Sequence, residues 1–336
     1  MLCGAQAFDF IMNINIQESL LGTHSRAKTG AIVYKLQMIE TSKMIKKSDI
    51  KSVNTPRPNR VIMCDPEHFR VEYAINPYMT TSSGDLQRVD VAKAKKEWAN
   101  LKSIYEKLGL EVLVIHGDKT LPDMVFTANQ SFPFLDTNGS KSVILSRMRS
   151  TYRQEEVKYF KKLYSDLSYK VFELEKIQGA YSFEGNGDAL MQYPYNLIWG
   201  GYGERTSKEV YAEMSSRFDF AIATLKLVRK EFYHLDTCFS ILDKNTVVVQ
   251  PEAFEPEGLR MIHEVFSKVI PTDIEENLKY FACNCHSPNG KQVITQAGTK
   301  KFRADLEKAG FEVIETDTTE YMKSGGSVFC MKMMAY

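Results

Sequence analysis

Leu197-Ile198-Trp199-Gly200-Gly201-Tyr202-Gly203-Glu204-Arg205-Thr206-Ser207 sets a short apolar strand before a glycine-rich turn, and the pattern it begins decides the fold. From Ser207 to Phe218 apolar residues fall at three- and four-residue spacing, which predicts a helix with one buried face. Ala221 to Val228 then reads as a second strand and Phe232 to Leu235 as a third. The same order returns along the chain. First strands are Val61-Ile62-Met63, Val143-Ile144-Leu145, Leu197-Ile198-Trp199, Val247-Val248-Val249 and Val293-Ile294-Thr295. Helical stretches include Glu155 to Leu163, Gly258 to Phe266 and Lys300 to Ala309, and second strands Leu110 to Ile115, Tyr169 to Leu174, Lys268 to Ile270 and Phe311 to Glu315. Third strands are read at Met124 to Ala128, Ser182 to Glu184, Phe232 to Leu235, Tyr280 to Asn284 and Ser327 to Met331.

Positions 62, 144, 198, 248 and 294 mark the five units, at intervals of 82, 54, 50 and 46 residues, with the extra length in the first. Periods near 50 point to a closed radial array. The expected fold is α/β, a five-bladed α/β propeller of strand-helix-strand-strand units with helices outside and short strands about an axis. Residues 1–57 show weak periodicity and end in Ser52-Val-Asn-Thr-Pro-Arg-Pro58, so they read as an N-terminal extension to a single domain over 58–336.

The 43 Lys and Arg against 42 Asp and Glu leave no net field to draw the chain to nucleic acid or membrane, so a small ligand is favoured. Six cysteines (Cys3, Cys64, Cys238, Cys283, Cys285 and Cys330) are too sparse for a disulfide framework and fit a reducing cytoplasm. No export signal is evident, and no apolar run reaches the roughly 20 residues a bilayer span needs.

The third strands carry polar residues that an apolar strand should lack: Phe126-Thr-Ala-Asn129, Phe183-Glu184-Gly-Asn-Gly-Asp188, Tyr233-His234-Leu-Asp236, Cys283-Asn284-Cys285 and Phe329-Cys330. Each has an ordinary reading alone. Cys330 would be a small core residue, His234 and Asp236 a solvated strand face, and Glu184 to Asp188 an acidic glycine turn. Their recurrence at one place in successive units instead predicts a single axial cavity holding converging titratable groups. The loop from Gly200 to Ser207 matches no complete nucleotide-binding motif, so Ser207 is expected to cap the helix and Arg205 to face an anionic ligand group. Cys283-Asn-Cys285-His286 lacks a second ligand pair at zinc spacing, so a structural role is expected and no metal site is assigned.

On these residues the chain resembles the guanidino-group-modifying enzymes of the pentein fold, which include arginine deiminase, dimethylargininase, amidinotransferase and arginine dihydrolase. The resemblance spans about residues 58–336. It rests on Glu184 with Gly187-Asp188, His234-Leu-Asp236, Gly203-Glu-Arg205-Thr, and Gly325-Gly326 before Cys330, in the family's order. Cys64-Asp-Pro66, Ile75-Asn-Pro-Tyr-Met79 and Phe126-Thr-Ala-Asn129 look most like the arginine dihydrolase branch.

The resemblance implies a mechanism with no metal or cofactor. The Cys330 thiolate attacks the guanidinium carbon, ammonia leaves, and water releases the product from the covalent adduct. The substrate's own guanidinium can be the cation that favours the thiolate. His234 serves as acid and then base, Glu184 orients it, and Asp236 and Asp188 hold the guanidinium plane. Arg205, with Arg147 or Arg149, is expected to bind the substrate α-carboxylate. Deiminases of the family have an aspartate where Asn129 stands; an asparagine could also hold the neutral ureido group of citrulline. The expected activity is therefore double hydrolysis of arginine to ornithine, carbon dioxide and two ammonia. Single deimination, dimethylargininase or amidinotransferase activity, and a non-catalytic binding propeller stay open, as does a homo-oligomer.

Overall fold

Val- and Ile-rich runs bounded by polar turns suit the middle of a sheet, where both faces are covered. The computed structural model describes residues 50, 55–175, 181–218 and 220–336, which lie in one unit, Lys43–Tyr336. The elements run β1 (Arg60–Cys64), α1 (Val91–Lys107), β2 (Glu111–Ile115), β3 (Ser131–Leu135), β4 (Lys141–Leu145), α2 (Val157–Asp166), β5 (Lys170–Phe172), β6 (Ala189–Gln192) and β7 (Leu197–Tyr202). They continue with α3 (Glu209–Phe218), β8 (Ala221–Lys226), β9 (Phe239–Ile241), β10 (Thr246–Val249), α4 (Pro256–Val265), β11 (Lys268–Pro271), α5 (Ile274–Tyr280), β12 (Gln292–Gln296), α6 (Lys300–Lys308), β13 (Glu312–Thr316), α7 (Thr319–Met322) and β14 (Met333–Ala335).

Four sheets have three strands, ordered β14-β1-β2, β3-β4-β5, β6-β7-β8 and β9-β10-β11, and a fifth pairs β12 with β13. Every first strand pairs in parallel with the strand reached through its helix, as in Val61 opposite Val112 and Val247 opposite Val269. Its other edge pairs antiparallel with the strand before it in the chain, and β1 is completed by β14, with Val61 opposite Met334. In the fifth sheet the single pair His286–Ile294 takes that place.

Two expectations are corrected here. The segments read as third strands are tight turns, with 3-10 helices at Pro122–Val125, Gly185–Gly187 and Leu235–Thr237, and the pairing strands β3, β6 and β9 begin only after them. Those strands also join the next sheet in the chain rather than closing their own unit. A turn leaves side chains free to converge, whereas a ladder would send alternate ones to opposite faces. Ser207 does not cap α3 with its hydroxyl, which instead accepts the Ser182 N–H at 3.1 Å.

The two-residue period of the first strands closes the ring. Val61 and Met63 enter an apolar cluster with Ile294, Tyr321 and Val328, while Ile62 and Cys64 enter another with Val143 and Phe160. Ile144 and Ile198 share a third, Trp199, Val247 and Val249 a fourth, and Val248 and Val293 a fifth. Each cluster thus bridges neighbouring units, the last to the first included. Each fully buried Val or Ile contributes roughly 1.5–3 kcal/mol by leaving water.

Most of the extension assigned to residues 1–57 lies outside the described residues. Thr55 and Arg57 are tied to the body, through Thr55 N to Pro194 O at 3.1 Å and the Arg57 guanidinium to the carbonyls of Ser287 and Leu242. The extra length of the first unit lies in residues 65–90, between β1 and α1. No helix among the described residues is long and apolar enough to cross a membrane.

Candidate active site

Cys330 lies three residues before β14 and is buried. Its turn is organised by Asn284, whose Oδ1 accepts the backbone N–H groups of Ser327, Phe329 and Cys330 at 3.1–3.2 Å. Asn284 Nδ2 donates to Cys330 Sγ at 3.1 Å, and Cys330 Sγ donates to Asp236 Oδ2 at 3.2 Å. Burial first, and then the Asp236 charge, push the thiol pKa well up. Asp236 is itself pushed up to about 7 by burial, and its Oδ1 is buried without a hydrogen-bond partner. Gly325 has φ +90°, and a Cβ there would meet the Tyr233 hydroxyl at 2.5 Å; at Gly326 it would meet the Phe126 ring at 2.3 Å. Only glycine lets this loop lie against the site.

Glu184 and His234 occupy one register, each five residues before its strand and just ahead of a three-residue 3-10 turn. The two turns lie side by side, and His234 Nε2 meets Glu184 Oε2 at 2.8 Å. A neutral imidazole that donates there leaves Nδ1 as acceptor, and Asn129 Nδ2 lies 3.5 Å from it. Burial would raise the Glu184 pKa, but Arg205 Nη1 at 3.0 Å and His234 more than offset it and hold it down at about 2. Asp188 is placed differently from the expectation that it holds substrate. Its Oδ1 accepts the Leu235 N–H at 3.0 Å and its Oδ2 the Thr206 hydroxyl at 2.7 Å, so it anchors the segment carrying His234. Burial raises its pKa to about 6.

Asn129 shares a second register with Asn284, each two residues before the next pairing residue. Its Oδ1 accepts from Arg153 Nη1 at 2.9 Å, which orients the amide with its NH2 towards His234. Arg153 is buried and also bonded to the carbonyls of Asp123 and Phe126 and to Glu156, at 2.9 Å between Nη2 and Oε2. Gln130 donates to the same Glu156 carboxylate at 2.6 Å.

A cavity of about 20 Å³ lies at the centre, lined by Asn129, His234, Cys330, Arg205, Arg153 and Asp123, with Ile75, Asn76, Met79, Phe126, Tyr233 and Ser324 to Gly326 around them. That is room for about one water. Residues 75–79 and 324–326 close it: Arg205 Nη2 donates to Ile75 O at 2.8 Å, Asn76 Nδ2 to Ser324 O at 2.9 Å, and the Tyr233 hydroxyl to Gly325 O. The structure thus brings together Cys330, His234, Glu184, Asn129, Asp236 and Arg205. Arg147 and Arg149 stay apart. Arg147 lies over the Tyr181 ring and reaches Glu175 O, and Arg149 is exposed, giving the site only its backbone N–H, to Glu184 Oε1 at 2.9 Å. Both of these arginines on the loop after β4 face outward; the inward arginine is Arg153, whose partner Glu156 three residues on was the available signal. Asp123 was also missed; it accepts from the Tyr73 hydroxyl at 2.8 Å and the Ser324 hydroxyl at 3.1 Å, and burial raises its pKa.

Cys283 and Cys285 are packed in an apolar cluster, and His286 Nδ1 meets the Tyr105 hydroxyl at 3.1 Å. Among the described residues no group of three or more His, Cys, Asp or Glu could hold a metal ion.

Comparison with known proteins places this geometry in context. The sequence family described as "N,N dimethylarginine dimethylhydrolase, eukaryotic" matches residues 65–335. The bifunctional arginine dihydrolase/ornithine cyclodeaminase AgrE of Nostoc sp. is 33% identical over 278 residues, which are 82% of this chain and 37% of that protein. The chain therefore spans little more than a third of that relative. The N(G),N(G)-dimethylarginine dimethylaminohydrolase of Mycobacterium tuberculosis is 33% identical over 276 residues, 82% of this chain and 85% of that one. A solved variant of the N-terminal domain of ArgZ, covalently bonded to a reaction intermediate, aligns with a TM-score of 0.74 at 32% identity, covering 82% of this chain and 96% of that one.

Proposed function

We propose, since the chain belongs to the N,N-dimethylarginine dimethylhydrolase family, that it is a hydrolase of the arginine guanidino group acting through a covalent Cys330 adduct, and that it hydrolyses twice, to ornithine, carbon dioxide and two ammonia. The observation that carries the second hydrolysis is the orientation of Asn129. Arg153 occupies its Oδ1, so its Nδ2 is the atom turned towards His234 and the cavity. A ureido oxygen needs such a donor, and an aspartate could not supply it.

In the first round the Cys330 thiolate adds to the guanidinium carbon. Imidazolium His234 protonates one nitrogen, which leaves as ammonia, and a cationic thiouronium adduct remains. Neutral His234 then takes one proton from water; the water oxygen adds to the same carbon, the C–S bond breaks with the thiolate restored, and citrulline forms as its new hydroxyl gives the second proton to the released ammonia, which departs as ammonium. In the second round thiolate adds to the ureido carbon, a second ammonia leaves, and water cleaves the carbamoyl thioester. The resulting carbamate loses carbon dioxide to give ornithine. Glu184 keeps the ring oriented, and Asp236 accepts guanidinium N–H bonds at its unpartnered Oδ1. Entry of a substrate requires residues 75–79 or 324–326 to withdraw, because the closed cavity holds about one water. Arg205 would then exchange Ile75 O for the substrate α-carboxylate.

A second reading, hydrolysis of dimethylarginine, is favoured by the family description and by the apolar walls Ile75, Met79 and Phe126, which could receive methyl groups. Mass-spectrometric product analysis with arginine, citrulline and dimethylarginine offered in competition decides between them. Ornithine with two ammonia per arginine is expected, and it should vanish in Cys330→Ala. Citrulline with one ammonia would mean a deiminase, and preferential release of dimethylamine would establish the second reading.

A further inference from the structure

Residues 70–80, part of the extra length of the first unit, close over the cavity, and their anchors are of two kinds. Arg205 Nη2 to Ile75 O at 2.8 Å and Asn76 Nδ2 to Ser324 O at 2.9 Å join residues that line the cavity, so a substrate that enters disturbs both. Tyr73 and Tyr78 do not line it. The Tyr78 ring packs on Phe281 with centroids 4.6 Å apart. Tyr73 is held twice: its hydroxyl donates to Asp123 Oδ2 at 2.8 Å, and its ring stacks on Tyr152 with centroids 4.2 Å apart and planes 11° apart. These outer anchors can stay made with the cavity filled.

The Tyr73 anchor also reaches the second closing segment. The other oxygen of Asp123 accepts the Ser324 hydroxyl at 3.1 Å, so one buried carboxylate ties residues 70–80 and the Ser324 to Gly326 loop to the 3-10 turn Pro122–Val125. That turn is fixed to the body by Arg153, whose Nη2 donates to the Asp123 carbonyl at 3.1 Å. Tyr152, the residue before Arg153, is 55% exposed, so the ring that clamps Tyr73 stands at the surface. Burial, and then the Asp123 charge, push the Tyr73 pKa well up, and the hydroxyl stays a donor. A hydrogen bond from a neutral hydroxyl to a buried carboxylate is among the stronger kinds.

Between two hydrolyses the bound molecule is citrulline. Its ureido group lacks the charge that Asp236 meets in arginine, so the head group is held less firmly and escape competes with the second attack. We propose that Tyr73 is a positioning residue, a latch that keeps residues 70–80 closed over citrulline between the two rounds and so sets how much of it leaves before it becomes ornithine. It acts through Asp123 and the closing loops, without touching the reacting atoms. The inference rests on the double-hydrolysis reading and deepens it: retention of the intermediate becomes part of the site's specificity.

A trapping experiment on the full chain tests it. Arginine labelled at its α-carbon is turned over in a large excess of unlabelled citrulline, which outcompetes any labelled citrulline that has escaped. The parent should pass most of the label directly to ornithine. In Tyr73→Phe the ratio of labelled citrulline to labelled ornithine should rise by about tenfold or more, as expected for a lost hydrogen bond to a carboxylate, and Tyr152→Ala should raise it by less. A merely destabilised fold would lower total turnover without changing this ratio. Dissociation of labelled citrulline from Cys330→Ala, chased with unlabelled citrulline, should quicken by a similar factor when Tyr73→Phe is added. Equal ratios, or equal dissociation rates, with and without Tyr73→Phe overturn the latch while leaving double hydrolysis standing. A parent that releases all its label as citrulline overturns the double-hydrolysis reading, and retention between rounds with it.

Discussion

Asn129→Asp should convert a double hydrolysis into a single one. In the parent, Asn129 Oδ1 accepts from Arg153 at 2.9 Å while Nδ2 lies 3.5 Å from His234 Nδ1. Aspartate keeps the contact with Arg153 and removes the donor. The cationic guanidinium of the first round meets one more carboxylate and is not penalised. The ureido oxygen of the second round meets an acceptor where it needs an N–H, and a buried hydrogen bond left unmade costs about 1–3 kcal/mol. That corresponds to a loss of roughly 5- to 150-fold in kcat/KM for citrulline, with oxygen–oxygen repulsion favouring the upper part of the range. The assay measures citrulline, ornithine and ammonia together after a pulse of arginine: citrulline should accumulate and the ammonia yield should fall from two towards one per arginine consumed. An aspartate variant that still releases two ammonia at the parent's ratio would refute the role given to Asn129.

Two further outcomes arise from the electrostatics of the same site. Glu184 is held at about 2 in the fold against an ordinary 4.5, so its stabilising contribution is present above pH 4.5 and is lost as pH falls towards 2. The difference in unfolding free energy between the parent and Glu184→Gln should therefore narrow by about 2 kcal/mol between pH 6 and pH 3 in urea denaturation, and a constant difference would contradict the assignment. Arg147→Ala and Arg149→Ala should leave kcat/KM for arginine within about twofold, because neither side chain reaches the cavity, whereas Arg205→Met should lower it by about 100-fold or more. Steady-state kinetics on the three variants separates these cases.

How far the sequence reaches is seen best in particular residues. The first strands and their helices are local patterns of apolar spacing, and β4, β7, β10 and β12 fall on the runs that announce them. The turns at Gly185–Gly187 and Leu235–Thr237 resemble strands in sequence because Phe183 and Tyr233 supply apolar, aromatic residues of the kind a strand prefers; positive φ at Gly185, +56°, marks the turn instead. Cys330, His234, Glu184 and Asn129 are legible because they recur near one place in each unit. Arg153 and Asp123 are not, since neither lies in the repeated turn position that the comparison of units exposes.

The sequence by itself determined the five units, their order and the recurrence of polar residues at one place in each, because the period of apolar residues decides what is buried within each element. Tertiary structure alone decided which side chain faces which. Asn129 presents its NH2 because Arg153, 24 residues away, takes its oxygen; Asp188 became an anchor because Thr206 and Leu235 use both its oxygens; and Lys332 lies buried with its Nζ over the Phe329 ring. Such pairings depend on distances set by packing between units, and a buried polar group takes the partner that packing leaves within reach. Cys330 could be picked out from its place in the repeat, but the partners that surround its sulfur, Asn284 and Asp236, are set by packing between units.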